Sequence, residues 1–232
     1  MRGRRKISVV IHICFLFGLI ILSQVYDVSA IGGQDHRMAL VIVSTYGLSQ
    51  DEFAKANSFH QYLLDDGYQN DDIIHFGSES GNLSEGISNV SNVESGFDRL
   101  RSDSDPDKEI VIYISDHVPP LSGDRVFRFV DGNISMSLID SWIDDITCVF
   151  STVIVGGNYS GVVGPELSDP VRDVICSMGA NQSFSPDLFN ITRSLEDPSA
   201  DTNHDGQVSY IEAYWKEVDN LQGTDQDPCI WI

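Results

Sequence analysis

Lys108-Glu109-Ile110-Val111-Ile112-Tyr113-Ile114-Ser115-Asp116-His117 decides the fold. Its apolar run is unbroken rather than alternating, so it reads as a strand buried on both faces, and it ends abruptly at polar residues. Met38 to Thr45 has the same character and stops at Tyr46-Gly47. Between these strands, Ser49 is placed to cap a helix from about Gln50 to Asp66. Phe53, Ala56, Phe59, Tyr62 and Leu63 recur there at helical spacing, and Gly67 ends it. Asp72 to Phe76 reads as a short strand, and a Ser/Gly/Asn-rich loop over 77–90 leads to a second helix at 91–102. Downstream, the pattern predicts a short strand at Phe127–Val130, a helix at Ser135–Asp144, strands at Val149–Val155 and Arg172–Ser177, and a last helix at Ser209–Leu221. Apolar strands alternating with amphipathic helices predict an α/β fold, a mostly parallel sheet of about five or six strands covered on both faces.

The N-terminus reads as an export segment. Arg2, Arg4, Arg5 and Lys6 precede a 16-residue apolar run (7–22), and Val28-Ser29-Ala30 is a small-x-small end. The run falls short of the roughly 20 residues that span a membrane, so cleavage after Ala30 and retention as an N-terminal anchor are both open. Either outcome places the remainder outside the cytoplasm, secreted or at the cell surface. Asn-x-Ser/Thr sequons at Asn82, Asn89, Asn133, Asn158, Asn181 and Asn190 agree with a glycosylated exterior. The division is therefore 1–30 export segment, 31–184 α/β domain and 185–232 C-terminal segment.

The 232 residues carry a formal charge of −21, which becomes −24 once residues 1–30 are set aside. Such acidity argues against nucleic-acid partners and favours solubility and cation binding. Cys148, Cys176 and Cys229 follow the export segment, too few for a disulfide framework, although one bridge can form; Cys148 and Cys176 read equally well as buried thiols.

Asp201-Thr202-Asn203-His204-Asp205-Gly206-Gln207-Val208-Ser209-Tyr210-Ile211-Glu212 fits a twelve-residue EF-hand calcium loop. Asp201, Asn203 and Asp205 supply oxygen at positions 1, 3 and 5, and Gly206 takes the turn. Gln207 offers its carbonyl, Ser209 a hydroxyl or bound water, and Glu212 both carboxylate oxygens. The plainer reading is an Asp/Asn-rich turn capping the helix at Ser209. Pro198 precludes a full entering helix, and no second loop is visible, so the site would be weak, about 10⁻⁴–10⁻³ M, and structural in purpose.

The strand order, with Ser115-Asp116-His117 after one strand and Gly156-Gly157-Asn158-Tyr159-Ser160-Gly161 after the next, resembles the legumain-like branch of the caspase-like cysteine peptidases. The resemblance spans roughly residues 38–180 and implies a caspase-like three-layer sandwich. In that family a catalytic His stands in a (Gly/Asp)-His-Gly turn, and the nucleophile in (Ala/Ser)-Cys-x-Ser-Gly. Asp116-His117 and Ser160-Gly161 match, which implies a crevice around Asp116, Ser160 and Gly161. Exported microbial relatives often carry a calcium loop after the core, as residues 201–213 do here.

Two departures bear on activity. Asn158 stands where the family has Cys, and Val118 replaces the Gly after His117. A carboxamide forms no thiolate, so His117 has no nucleophile to activate and is vestigial. Cys148 lies about 30 Å away at the far end of its strand. Cys176 is the one thiol that the resemblance leaves as a substitute. The expectation is a calcium-binding pseudopeptidase able to hold a peptide or protein. The alternatives are a working cysteine endopeptidase using Cys176 with His117, or a surface domain that binds calcium only.

Overall fold

A computed structural model describes residues 36–44, 50–77, 83–116, 118, 125–183 and 187–232. The expected export segment, the Ser49 cap, the Asn82 sequon and His117 lie outside the described residues. Strands β1 (Arg37–Val43), β2 (Ile73–Gly77), β3 (Gly86–Ile87), β4 (Glu109–Ser115), β7 (Phe150–Gly156), β8 (Arg172–Cys176) and β9 (Cys229–Trp231) form one sheet. Their order is β3-β2-β1-β4-β7-β8-β9; every pairing is parallel except β8 with β9. The remaining strands, β5 (Val126–Phe129) and β6 (Gly132–Ser135), pair as a separate antiparallel hairpin.

Alternation along β1 builds two cores. Met38, Leu40 and Ile42 face one side, where Phe97 and Leu100 of α2 (Val90–Asp103) and Ile139 and Trp142 of α3 (Met136–Asp144) cover them. Ala39, Val41 and Val43 face the other, beneath Phe59 and Leu63 of α1 (Gln50–Asp65). That second layer is completed by Ile191 and Leu195 of α5 (Ile191–Leu195) and by Ala213 and Tyr214 of α6 (Tyr210–Asn220). All six β1 side chains from Met38 to Val43 are 1% exposed or less, which explains why this strand shows no polar alternation in sequence.

The architecture is the expected mostly parallel α/β sandwich, but among the described residues the sheet has seven strands rather than five or six. The extra ones are the two-residue β3 and the terminal β9, both too short for periodicity to reveal. Val130-Asp131 turns β5 into β6, so the strand expected at Phe127–Val130 is half of a hairpin. The stretch before the 201–212 loop holds α5 and a 3₁₀ turn at Pro198–Ala200. No helix among the described residues is long and apolar enough to cross a membrane.

Candidate functional site

The chain runs outward from β1 through β2 to β3, then returns to β4 beside β1, so the direction of winding reverses between β1 and β4. Open parallel sheets place their crevices beyond the strand carboxyl ends at such a switch point. The loops leaving β4 and β7 meet there directly. Asp116 N–H donates to the Gly156 carbonyl at 3.0 Å and Val118 N–H to the Asn158 carbonyl at 3.2 Å. The two motifs singled out in the sequence are therefore neighbours, with Asn158 half-buried at the junction. The next residue, Tyr159, holds a left-handed backbone (φ 60°), a conformation that costs a non-glycine residue and tends to persist where surrounding contacts over-determine it.

The flanking residues are more deeply committed. Asp116 is fully buried, and its carboxylate accepts the Arg128 N–H of β5 while the Ser44 hydroxyl donates to the Arg128 carbonyl. Ser160 is fully buried too; its Oγ accepts Met178 N–H at 3.0 Å and donates to the Met178 carbonyl at 3.3 Å. Gly161 N–H donates to that same carbonyl at 2.8 Å, and a Cβ at Gly161 would lie 2.7 Å from it. Ser160 and Gly161 thus bind the post-β7 turn to the post-β8 turn.

Beneath them runs a polar floor that sequence reasoning missed. Asp187 Oδ2 accepts the Ser177 hydroxyl at 2.7 Å and Gly157 N–H at 3.2 Å; Oδ1 accepts Phe189 N–H at 3.0 Å and the Gln226 amide. Lys55 donates to the Asp187 carbonyl at 2.6 Å and pairs with Glu52 at 3.4 Å, and Ser115 Oγ donates to Glu52 at 3.2 Å. Burial raises the Glu52 carboxyl above its ordinary range, against the pull of Lys55. Ser177 was legible, because it follows β8 immediately; Asp187 and Gln226 arrive on irregular loops that carry no periodic pattern.

The thiols divide between the two ends of the sheet. Cys148 precedes β7 at the strand amino ends, and Cys176 closes β8, fully buried. Burial pushes the Cys176 thiol well above its usual range, reinforced by a hydrogen bond with Cys229, so it is no ready thiolate.

The 201–212 loop already has a wrapped backbone. Gly206, at φ 93°, makes the sharp turn and donates its N–H to Asp201 Oδ2 at 3.0 Å. Asn203 Oδ1 accepts Asp205 N–H at 2.8 Å, and Asp205 Oδ1 accepts Gln207 N–H at 2.9 Å. Ser209 and Glu212 form a reciprocal capping box at the start of α6. Glu212 Oε1 additionally accepts Thr202 N–H and Oγ–H at 2.9 Å and Asn203 N–H at 3.1 Å. These donors, Ser209 N–H foremost, hold the Glu212 carboxyl down at about 2. Asp201 Oδ1 is buried without a hydrogen-bond partner, an acceptor left for something else. Among the described residues no three His, Cys, Asp or Glu side chains converge as a metal cluster. Glu212 is turned to the helix end here, and ligation by both its oxygens would require it to exchange those donors for an ion. A cavity of about 620 Å³ adjoins the loop, lined by Arg37, Tyr62, Tyr68, Asp201, Val208 and Tyr210, at the sheet end opposite Asn158.

The fold is caspase-like. The solved structure of the Drosophila initiator caspase Dronc superposes with a TM-score of 0.55 at 11% identity, covering 84% of this chain and 78% of that one. No family model and no curated protein matches the sequence.

Proposed function

We propose that this chain is an exported, calcium-binding relative of legumain-like peptidases that has lost its nucleophile and retains the crevice to hold a peptide or a partner's tail. The observation that carries the reading is Asn158 at the β4–β7 junction, its backbone carbonyl accepting the Val118 N–H. A carboxamide has no proton whose loss yields a nucleophile near neutral pH, so attack on an acyl carbon has no starting point. The buried, high-pKa Cys176 thiol supports the same conclusion. Incubation with thiol-directed peptide probes ending in Asn or Asp tests it: the protein stays unlabelled, whereas labelling at Cys176 would mean a working peptidase.

The calcium part rests on separate residues. Asp201, Asn203, Asp205, the Gln207 carbonyl, Ser209 and Glu212 are the ligands, a reading supported by the buried Asp201 Oδ1, which has no hydrogen-bond partner. The ion supplies no chemistry to the crevice; it fixes the start of α6. With a dissociation constant of about 10⁻⁴–10⁻³ M, 10 mM calcium stabilises the fold by about 1.4–2.7 kcal/mol, a melting rise of roughly 3–11 °C. Asp201→Ala with Glu212→Ala removes that rise. An unchanged melt at 10 mM calcium would leave the loop as a helix cap alone.

A further inference from the structure

Cys176 ends β8, Cys229 begins β9, and the antiparallel register sets them directly opposite each other. Residues opposed in this way hold their Cα atoms about 4.5–5.5 Å apart with side chains on one face. A disulfide needs about 4.4–6.8 Å. Both side chains lie in the same apolar layer, Cys176 within it and Cys229 packed against it. The two thiols are hydrogen-bonded to each other, and Cys229 Sγ also donates to the Met178 carbonyl at 3.5 Å. The neighbourhood is tightly packed: the Trp231 ring sits directly on the Gly164 backbone, and Gly161 lies close to Cys229. Cys148 is seven residues upstream of Val155, the β7 partner of Cys176, and so about 23 Å away.

We propose that Cys176 and Cys229 form a disulfide that staples β9 to the edge of the parallel sheet. Both are free thiols here, and the step needs a disulfide oxidant such as oxidised glutathione. Cys229, half-buried and reachable, attacks first. The hydrogen bond from Cys176 lowers its pKa, so it is the sulfur that loses its proton more readily. Its thiolate displaces one glutathione thiolate and forms a mixed disulfide. Cys176 then gives its proton to solvent and attacks the Cys229 sulfur, and the second glutathione leaves with the bonding pair. Two protein thiols lose two electrons, and one reagent disulfide becomes two thiols. The closed loop, residues 176–229, contains the Asp187 floor and the 201–212 loop, so the bond restricts the unfolded chain over a long stretch.

The test is incubation of the full chain in a glutathione redox buffer, alkylation, tryptic digestion and mass spectrometry. The expected product joins the peptide 173–193 to the peptide 217–232, with Cys148 alkylated in the peptide 129–172. The oxidised protein melts roughly 5–15 °C above the reduced one. Cys229→Ser abolishes that difference and Cys148→Ser preserves it. Alkylation of both Cys176 and Cys229 under oxidising buffer, or a bridge that involves Cys14 or Cys148, overturns the proposal. A correct bridge with no change in melting overturns the stapling role.

Discussion

At the scale of single residues, the post-β7 turn shows which positions tolerate change. Gly161 accepts no side chain, because a Cβ would press on the Met178 carbonyl and the Ala180 nitrogen, both backbone atoms that cannot swing aside. Gly161→Ala is therefore expected to cost about 1–3 kcal/mol in urea unfolding, the range of overpacked interiors. Asn158 is different. It is half-buried, and its carbonyl carries the contact with Val118. Asp116 illustrates a role that spacing alone cannot assign. The same carboxylate that precedes His117 in sequence is spent on the Arg128 N–H, tying the β5–β6 hairpin to the sheet.

At the scale of elements, α5 and α6 are joined by one buried carboxylate. Glu217 accepts Asn190 N–H at 3.0 Å, Arg193 Nη2 at 2.8 Å, the Ser194 hydroxyl at 2.5 Å and the Asn220 amide at 3.1 Å, and is 0% exposed. Removing it strands several donors, although Arg193 is half-exposed and keeps its water. Glu217→Ala should cost about 2–4 kcal/mol by urea unfolding, while Glu217→Gln should recover part of that. Elements of this kind also mark how far the sequence could be read. α1, β1, β4 and β7 fall within one or two residues of where apolar periodicity put them, because each contributes a full buried face. β9 is three residues long and α5 five, too little for any period to register. The crevice was half legible: its strand-end motifs lie in sequence order, but Asp187, Gln226, Glu52 and Lys55 meet Ser177 only through tertiary folding.

At the scale of the whole molecule, acid should be the more damaging condition. His60 and His75 face each other through Nδ1 atoms 3.1 Å apart, both buried; burial lowers the His60 pKa, against the opposing charge of Glu85. Burial, with the neighbouring imidazole second, holds His75 down at about 4. An unfolded imidazole near 6.5 binds protons that the folded one refuses, so stability is full above about pH 6.5 and falls as pH drops toward 4. The His75 contribution is about 3 kcal/mol, and a His75→Leu protein compared with the parent at pH 7 and pH 4.5 should show a flatter pH dependence.

The order of the sheet also sets a kinetic expectation. Its central partners are remote along the chain, Arg37 of β1 lying against Glu109 of β4 and Glu109 in turn against Phe150 of β7. Long stretches of polypeptide must be gathered before those ladders return any free energy, and parallel pairings of this kind assemble slowly. Refolding from urea should accordingly take far longer than the microseconds typical of helical bundles, and during that interval the uncovered margin of β8 is the surface on which nascent molecules would clump.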